Sequence, residues 1–164
     1  MTHQGDNPSW GALYWQYQSP IAHVEAYKSE SITLLREYYV MRDGEWVSIE
    51  NTQLKVGDEV TVRLSFYIDR DMQFMSLVDY RPACLEPTEQ LAQYRWCGTT
   101  YCYCSPADAS MSFYFDYVAK GTHVVEYRTY VDRVGLYNTG AATLQSYYAP
   151  QYVAHSEGRL IAVD

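Results

Sequence analysis

"EVTVRLSFYID", residues 59–69, sets Val60, Val62, Leu64, Phe66 and Ile68 on one side of an extended chain and Thr61, Arg63, Ser65, Tyr67 and Asp69 on the other. A period of 2 over a whole strand is the pattern of a β-strand with one face in a core and the other in water. The flanking sequence extends this reading. "SMSFYFDYV" (110–118) repeats the alternation with Met111, Phe113, Phe115 and Tyr117, and "AKG" (119–121) turns it into "THVVEYRTYVD" (122–132), which predicts a hairpin. "TLLREYYVM" (33–41) and "EWVSIE" (45–50) flank Arg42, Asp43 and Gly44, and an Asp-Gly pair between extended runs predicts another. "MQFMSLVDY" (72–80), "TLQSYY" (143–148) and "RLIAV" (159–163) supply further strands. No stretch of twelve or more residues holds a 3.6 period, although "PTEQLAQY" (87–94) is long enough for two turns of helix. Eight or nine strands separated by turn residues predict an all-β fold, an antiparallel β-sandwich. Its expected core includes Val60, Val62, Leu64, Phe66, Phe113, Phe115 and Tyr117.

Composition bounds what such a sandwich does. A chain of 164 residues forms one domain with a proper core. Hydrophobic residues make up 48% and charged ones 20%, which excludes disorder, and no apolar run approaches the ~18 residues that span a bilayer. Twelve Lys and Arg against twenty Asp and Glu give a net charge of −8, which disfavours nucleic acid and anionic lipid as partners. "MTHQGDNPSWG" (1–11) has no basic start followed by an apolar stretch, so the chain carries no readable export signal. Tyrosine is the outlier at 18 residues. Tyrosines fit pleated, half-buried surfaces, and they also furnish binding faces, because a phenol combines wide apolar contact with one hydroxyl. "SWGALYWQYQSPIAHVEAY" (9–27) is rich in aromatics without alternation and is interrupted by Pro20, so it reads as a connection or an added edge strand.

The order of segments resembles a known family. "SITLLREYYVMRDGEWVSIENTQLKVGDEVTVRLSF" (31–66), "DRDMQFMSLVDYRPACLEP" (69–87) and "FYFDYVAKGTHVVEYR" (113–128) come first, and "YYAPQY" (147–152) and "SEGRLIAV" (156–163) close the chain. Together they are similar to the C-terminal, receptor-binding-like macroglobulin domain of the bacterial α2-macroglobulins, and "GALYWQY" (11–17) looks like the segment that leaves the preceding thioester domain. The resemblance implies a sandwich of the macroglobulin or immunoglobulin-like type over 29–164, and a linker or edge segment over 1–28. It implies a non-catalytic terminal domain of a peptidase trap, docked on neighbouring domains of a larger exported chain in the cell envelope and meeting peptidases only indirectly. The basic helix through which eukaryotic relatives bind receptors has no counterpart here. In bacterial relatives a Met-Tyr-x-Pro segment before the final strand leans on the thioester domain and keeps its reactive centre dry. Tyr148 and Pro150 match it, and Tyr147 stands where the relatives often carry Met. Tyr147, Tyr148, Pro150 and Tyr152 are therefore the candidate docking residues, with one of Tyr147 and Tyr148 expected inward, as period 2 demands, and Tyr152 beside the exposed one.

"ACLEPTEQL" (83–91) sets Cys84 near Glu86, Glu89 and Gln90. The family's thioester joins the cysteine of Cys-x-Glu-Gln to a glutamine three positions on, whereas Cys84 and Gln90 are six apart and Pro87 stiffens the chain between them. The segment therefore reads as a strand end. Cys97, Cys102 and Cys104 fall within eight residues, and a hairpin would allow a disulfide from Cys97 to Cys102 or Cys104; four free buried thiols is the alternative. Structural zinc wants four ligands, and the histidines stand apart, so no metal or other cofactor is expected. No G-x-S-x-G, phosphate-binding Gly-rich loop or H-E-x-x-H occurs, so no catalytic residue is assigned; a hidden carboxylate pair would show itself as two carboxylates facing one cleft. The rival reading is a freestanding sandwich module that binds glycan or protein. A row of exposed aromatic rings would favour it, and an apolar patch near "QSYYAPQY" (145–152) would favour docking.

Overall fold

The alternation of residues 59–69 becomes strand β3, Glu59–Ile68, with Val60, Val62, Leu64, Phe66 and Ile68 all buried. In the computed structural model, which describes residues 10–164, it pairs on one side with β1 (Ile32–Arg42) and on the other with β9 (Gly121–Val131). Residues 1–9 of the expected linker lie outside the described residues. β2 (Glu45–Ser48) closes the outer edge through the Asp-Gly turn, where Asp43 and Gly44 have φ of 51° and 87°. Two successive positive φ values make a type I′ turn, whose twist matches that of the strands. With β5 (Leu85–Pro87) beside β9, the first sheet runs β2-β1-β3-β9-β5.

The second sheet has six strands. β4 (Met72–Tyr80) and β8 (Ser110–Val118) lie at its centre, β11 (Ala142–Ser146) and β12 (Val153–His155) on one flank, and β7 (Thr100–Ala107) and β6 (Gln93–Cys97) on the other. β10 (Gly135–Asn138) and β13 (Leu160–Val163) form a separate antiparallel ribbon. Every pairing within these sheets is antiparallel. Phe66 meets Phe115 across the core at 5.8 Å between ring centroids, and Phe113 meets Tyr127 at 5.9 Å. Residues 10–20 carry no secondary structure, and Tyr27 makes a single bridge to His155 at the β12 edge.

Three expectations are corrected. β8 and β9 are not a hairpin: the link at 119–120 crosses from one sheet to the other, so the two apolar faces oppose each other across the core rather than lying side by side. Residues 87–94 form no helix; they contain the end of β5 and the start of β6. Tyr117 is 53% exposed rather than buried. The cause sits beside its partner Gln73 on β4, where Phe74 has φ 53°. A left-handed residue shifts the phase of the alternation by one, so Met72 and Val118 point inward before it and Met75, Leu77, Phe113 and Phe115 after it. Tyr117 falls in the gap and donates its hydroxyl to Asp71 at 2.7 Å.

A buried ion pair crosses the sandwich. Arg36 of β1 donates to Asp79 Oδ1 of β4 at 2.7 Å, with both side chains only 1% accessible. Its second nitrogen donates to Thr139 Oγ1 at 2.9 Å and to the carbonyls of Gly140 and Glu157 at 2.6 and 3.0 Å. Tyr127 of β9 donates to Asp79 Oδ2 at 2.7 Å. Burial and then the Asp79 charge push the Tyr127 hydroxyl far above the usual phenol range, which keeps it a donor. Outside the core, Asp58 accepts from Arg42 at 2.8 and 2.5 Å and from the Lys55 amide at 2.8 Å. The Arg42 hydrogen bonds hold its carboxyl below the ordinary range.

Removing one member of the buried pair leaves the other charged and unpaired, so Asp79→Ala should cost about 3–5 kcal/mol in urea unfolding, and Arg36→Met combined with Asp79→Leu should cost less than either single change. Equal stability of Asp79→Ala and the parent chain would refute the structural weight given to the pair. A carboxyl whose folded pKa is depressed contributes stability above its unfolded value of about 3.9 that is lost as pH falls through the folded value. Asp58→Asn should therefore flatten the acid limb of stability against pH below about 5, a comparison that thermal melts across that range make directly.

Candidate functional site

β11 ends at Ser146, and the chain turns through residues 147–152 before β12 begins. The turn is held by Tyr152 N–H donating to the Ala149 carbonyl at 2.9 Å and Ser146 N–H to the Tyr152 carbonyl at 3.1 Å. With the strand finished, period 2 no longer governs the rings. Tyr147 and Tyr148 are both exposed, at 64% and 81%, which corrects the expectation that one of them points inward. Tyr152 is the ring that turns partly in; it packs against the core, and the Arg70 guanidinium lies 5.4 Å from its centroid and donates to its hydroxyl at 3.3 Å. Pro150 lies within the turn.

The structure adds Phe74 to this group. Its carbonyl accepts from Tyr147 N–H at 2.9 Å, and its half-exposed ring meets Tyr148 edge-on at 5.4 Å. A bulky side chain in the left-handed region is an uncommon, strained arrangement, and such strain clusters where a surface is functional. The sequence carried a signal for it: in "MQFMSL" apolar residues fall on even positions at Met72 and Phe74 and then on odd ones at Met75 and Leu77. The result is an uncharged ledge of three exposed rings, Phe74, Tyr147 and Tyr148, beside the Arg70–Tyr152 pair.

The other singled-out residues behave differently. Cys84 is buried in the turn just before β5, its thiol pushed up to about 11 by burial, while Gln90 is exposed. All four cysteines are free thiols. β6 and β7 do form the expected hairpin, but the register sets Cys97 opposite Thr100, Cys102 opposite Arg95 and Cys104 opposite Gln93. No two cysteines stand directly across from each other in the register, yet the Cys97 thiol lies within hydrogen-bond reach of the Cys102 and Cys104 thiols. The hairpin turn is tight against the other sheet: Gly98, at φ 75°, would drive a Cβ to 2.5 Å from the Val124 carbonyl. Among the described residues no group of three or more His, Cys, Asp or Glu is arranged to hold a metal ion. Glu89 and Glu126 do line one cleft of about 630 Å³ with Arg63 and Arg95. Each is bonded to an arginine, Glu126 to Arg63 Nε at 2.6 Å and Glu89 to Arg95.

The family model of the bacterial alpha-2-macroglobulin MG10 domain matches residues 32–151. A mutant of Salmonella alpha-2-macroglobulin has the same fold, with a TM-score of 0.70 at 22% identity over 88% of this chain and 10% of that one. Trypsin-activated alpha-2-macroglobulin from Escherichia coli gives 0.68 at 18% identity over 85% of this chain and 11% of that one. Native Escherichia coli alpha-2-macroglobulin from domain MG7 to the C-terminus gives 0.69 at 18% identity over 88% of this chain and 25% of that one. This chain thus spans about a tenth of the length of the first two. No curated protein matches it significantly.

Burial of all four thiols has a direct consequence. The reduced chain should give almost no reaction with an aromatic disulfide reagent at pH 8 and should release its four equivalents only on unfolding, because all four thiols are buried in the folded state. Rapid labelling of any cysteine under native conditions would contradict the core described above.

Proposed function

The chain belongs to the bacterial alpha-2-macroglobulin MG10 domain family, and on that premise we propose that it is the non-catalytic docking domain of an alpha-2-macroglobulin-like peptidase trap. In this reading the sandwich over 29–164 supports neighbouring domains of a parent chain in the cell envelope, and residues 1–28 are the link from the domain before it. Peptidases meet the parent, and this domain only indirectly.

The observation that carries the reading is the ledge of Phe74, Tyr147 and Tyr148. A strained left-handed Phe74 is retained where a glycine would relax the backbone, and what the strain secures is the position of an exposed ring and of the carbonyl that anchors Tyr147. Tyr148 and Pro150 are also the residues that match the Tyr-x-Pro of bacterial relatives. A contact of this kind is apolar, so a charge placed in it is expelled at the cost of desolvation.

Two substitutions in the parent chain test this. Tyr148→Asp should leave the sandwich folded and loosen its seat on the neighbouring domain, read as faster hydrogen exchange of the β11–β12 turn and of the surface it covers. Phe74→Gly should raise the stability of the 164-residue chain or leave it unchanged, since relief of a left-handed residue is worth roughly 1–2 kcal/mol, while weakening the same seat. Unchanged exchange in both variants would sink the proposal.

A further inference from the structure

The two outer faces of the sandwich differ in chemistry. On the first sheet, paired charges sit among exposed Leu35, Tyr67 and Tyr130: Arg63 is bonded to Glu126 at 2.6 Å and Arg128 to Glu59 at 3.2 Å. On the second sheet the outward positions are Tyr94 and Trp96 of β6, Tyr101 and Tyr103 of β7, Tyr114 of β8, and then mainly Ser, Thr and Gln residues of β8, β4 and β11, with Val78 and Tyr80 of β4 and Val153 of β12 among them. Among the described residues, Asp116 of β8 and His155 of β12 are the only acidic or basic side chains that the strands of this sheet project outward.

The five aromatic side chains form one connected group. Tyr94 stacks near-parallel on Tyr101 at 5.9 Å and tilts against Tyr103 at 5.0 Å; Trp96 lies 5.7 Å from Tyr101, and Tyr103 6.5 Å from Tyr114. They hold one another in place, so little side-chain freedom remains to be lost on binding. Trp96 still has 69% of its surface open. Beside them, Ser105 and Ser112 face each other across β7 and β8, Ser76 and Gln145 continue the line from Tyr114, and Thr143 lies beyond Val78. These hydroxyls and this amide both donate and accept hydrogen bonds without carrying charge.

We propose that this face is a binding surface for an uncharged glycan chain. A sugar ring has an apolar C–H face and a rim of hydroxyls, and this sheet offers the complement of both, rings at its β6–β7 edge and short neutral hydrogen-bonding groups next to them. Charge selects among occupants. Single-stranded nucleic acid also stacks on aromatic rings, but it needs a cationic groove, and the one cation in these strands, Arg95 of β6, turns inward and is paired with Glu89. Anionic polysaccharides and lipid headgroups are turned away by the net charge of −8. A protein partner buries an apolar centre within a polar rim, whereas here the rings lie at the sheet's edge and its middle is hydroxyl-rich. The rings at the β6–β7 edge lie across β4 and β8 from the Tyr147–Tyr148 turn, and the proposal does not depend on the docking role.

The test uses the 164-residue chain in native gels cast with hydroxyethylcellulose or dextran, and its tryptophan emission titrated with cellotetraose and chitotetraose. Retardation or an emission change with at least one of these neutral probes is expected, with little dependence on salt. Trp96→Ala and Tyr101→Ala should weaken it about tenfold or more, and Trp46→Ala, on the other sheet, should leave it intact; circular dichroism confirms that the exposed substitutions spare the fold. The proposal is overturned by silence with all four probes, or by binding that survives Trp96→Ala. It is equally overturned if Trp96→Ala abolishes self-association in sedimentation, which would make the occupant of the face a second copy of the chain.

Discussion

One buried arginine holds this sandwich in register. Arg36 reaches from β1 to Asp79 on β4, while Tyr127 of β9 closes the other oxygen of the same carboxylate. Strands of both sheets are thus tied at a single point inside an apolar core. Apolar packing alone tolerates small sliding of one sheet over another, because dispersion is nearly indifferent to direction. A charged hydrogen bond in low dielectric is not, and a misplaced Arg36 would be left buried and unpaired. The remaining guanidinium donors reach the carbonyls of Gly140 and Glu157 and the hydroxyl of Thr139, so the connections that lead into β11 and follow β12 are fixed by the same group. The turn carrying Tyr147, Tyr148 and Tyr152 joins those two strands, so its base inherits the placement.

The second constraint is local. Phe74 in the left-handed region reverses which residues of β4 face the core, and β8 follows with the same reversal, from Val118 to Phe115. Core packing survives on both sides of the reversal because Met72 pairs with Val118 and Met75 with Phe115. What changes is the surface: Tyr117 is released to solvent, and the Phe74 ring is delivered to the Tyr147–Tyr148 turn. Strain in the backbone of a central strand is thereby converted into an aromatic ledge at the end of the sheet.

The two sheets share a core and differ in what they show to the outside. The first presents paired charges among a few exposed apolar side chains, the second mainly uncharged rings and hydroxyls. Both satisfy the same inward alternation, so the difference is not imposed by folding. Outward positions of a half-buried strand are the ones where chemistry is free to vary without loss of the fold.

The all-β class, the strands and the core positions of β3 and β8 up to Phe115 were legible in the sequence, because period 2 is a local property that each strand states by itself. The Asp43-Gly44 turn was legible for the same reason, since its residues prefer positive φ wherever they occur. The family was legible from the order of short segments, and the candidate turn at 145–152 from its Tyr-x-Pro. The partner of each strand was not. β8 and β9 read as a hairpin, yet they face each other from opposite sheets, because alternation says that a strand has an apolar face and not which other strand covers it. The pairing of Arg36 with Asp79 joins residues 43 apart that are each, in sequence, an ordinary charge in a strand. The exposure of both Tyr147 and Tyr148, the role of Phe74 and the gathering of Tyr94, Trp96, Tyr101, Tyr103 and Tyr114 into one face likewise arise only when strands are laid side by side. Local sequence determines which side of a strand is apolar. Tertiary structure alone decides what that side, and the one behind it, will meet.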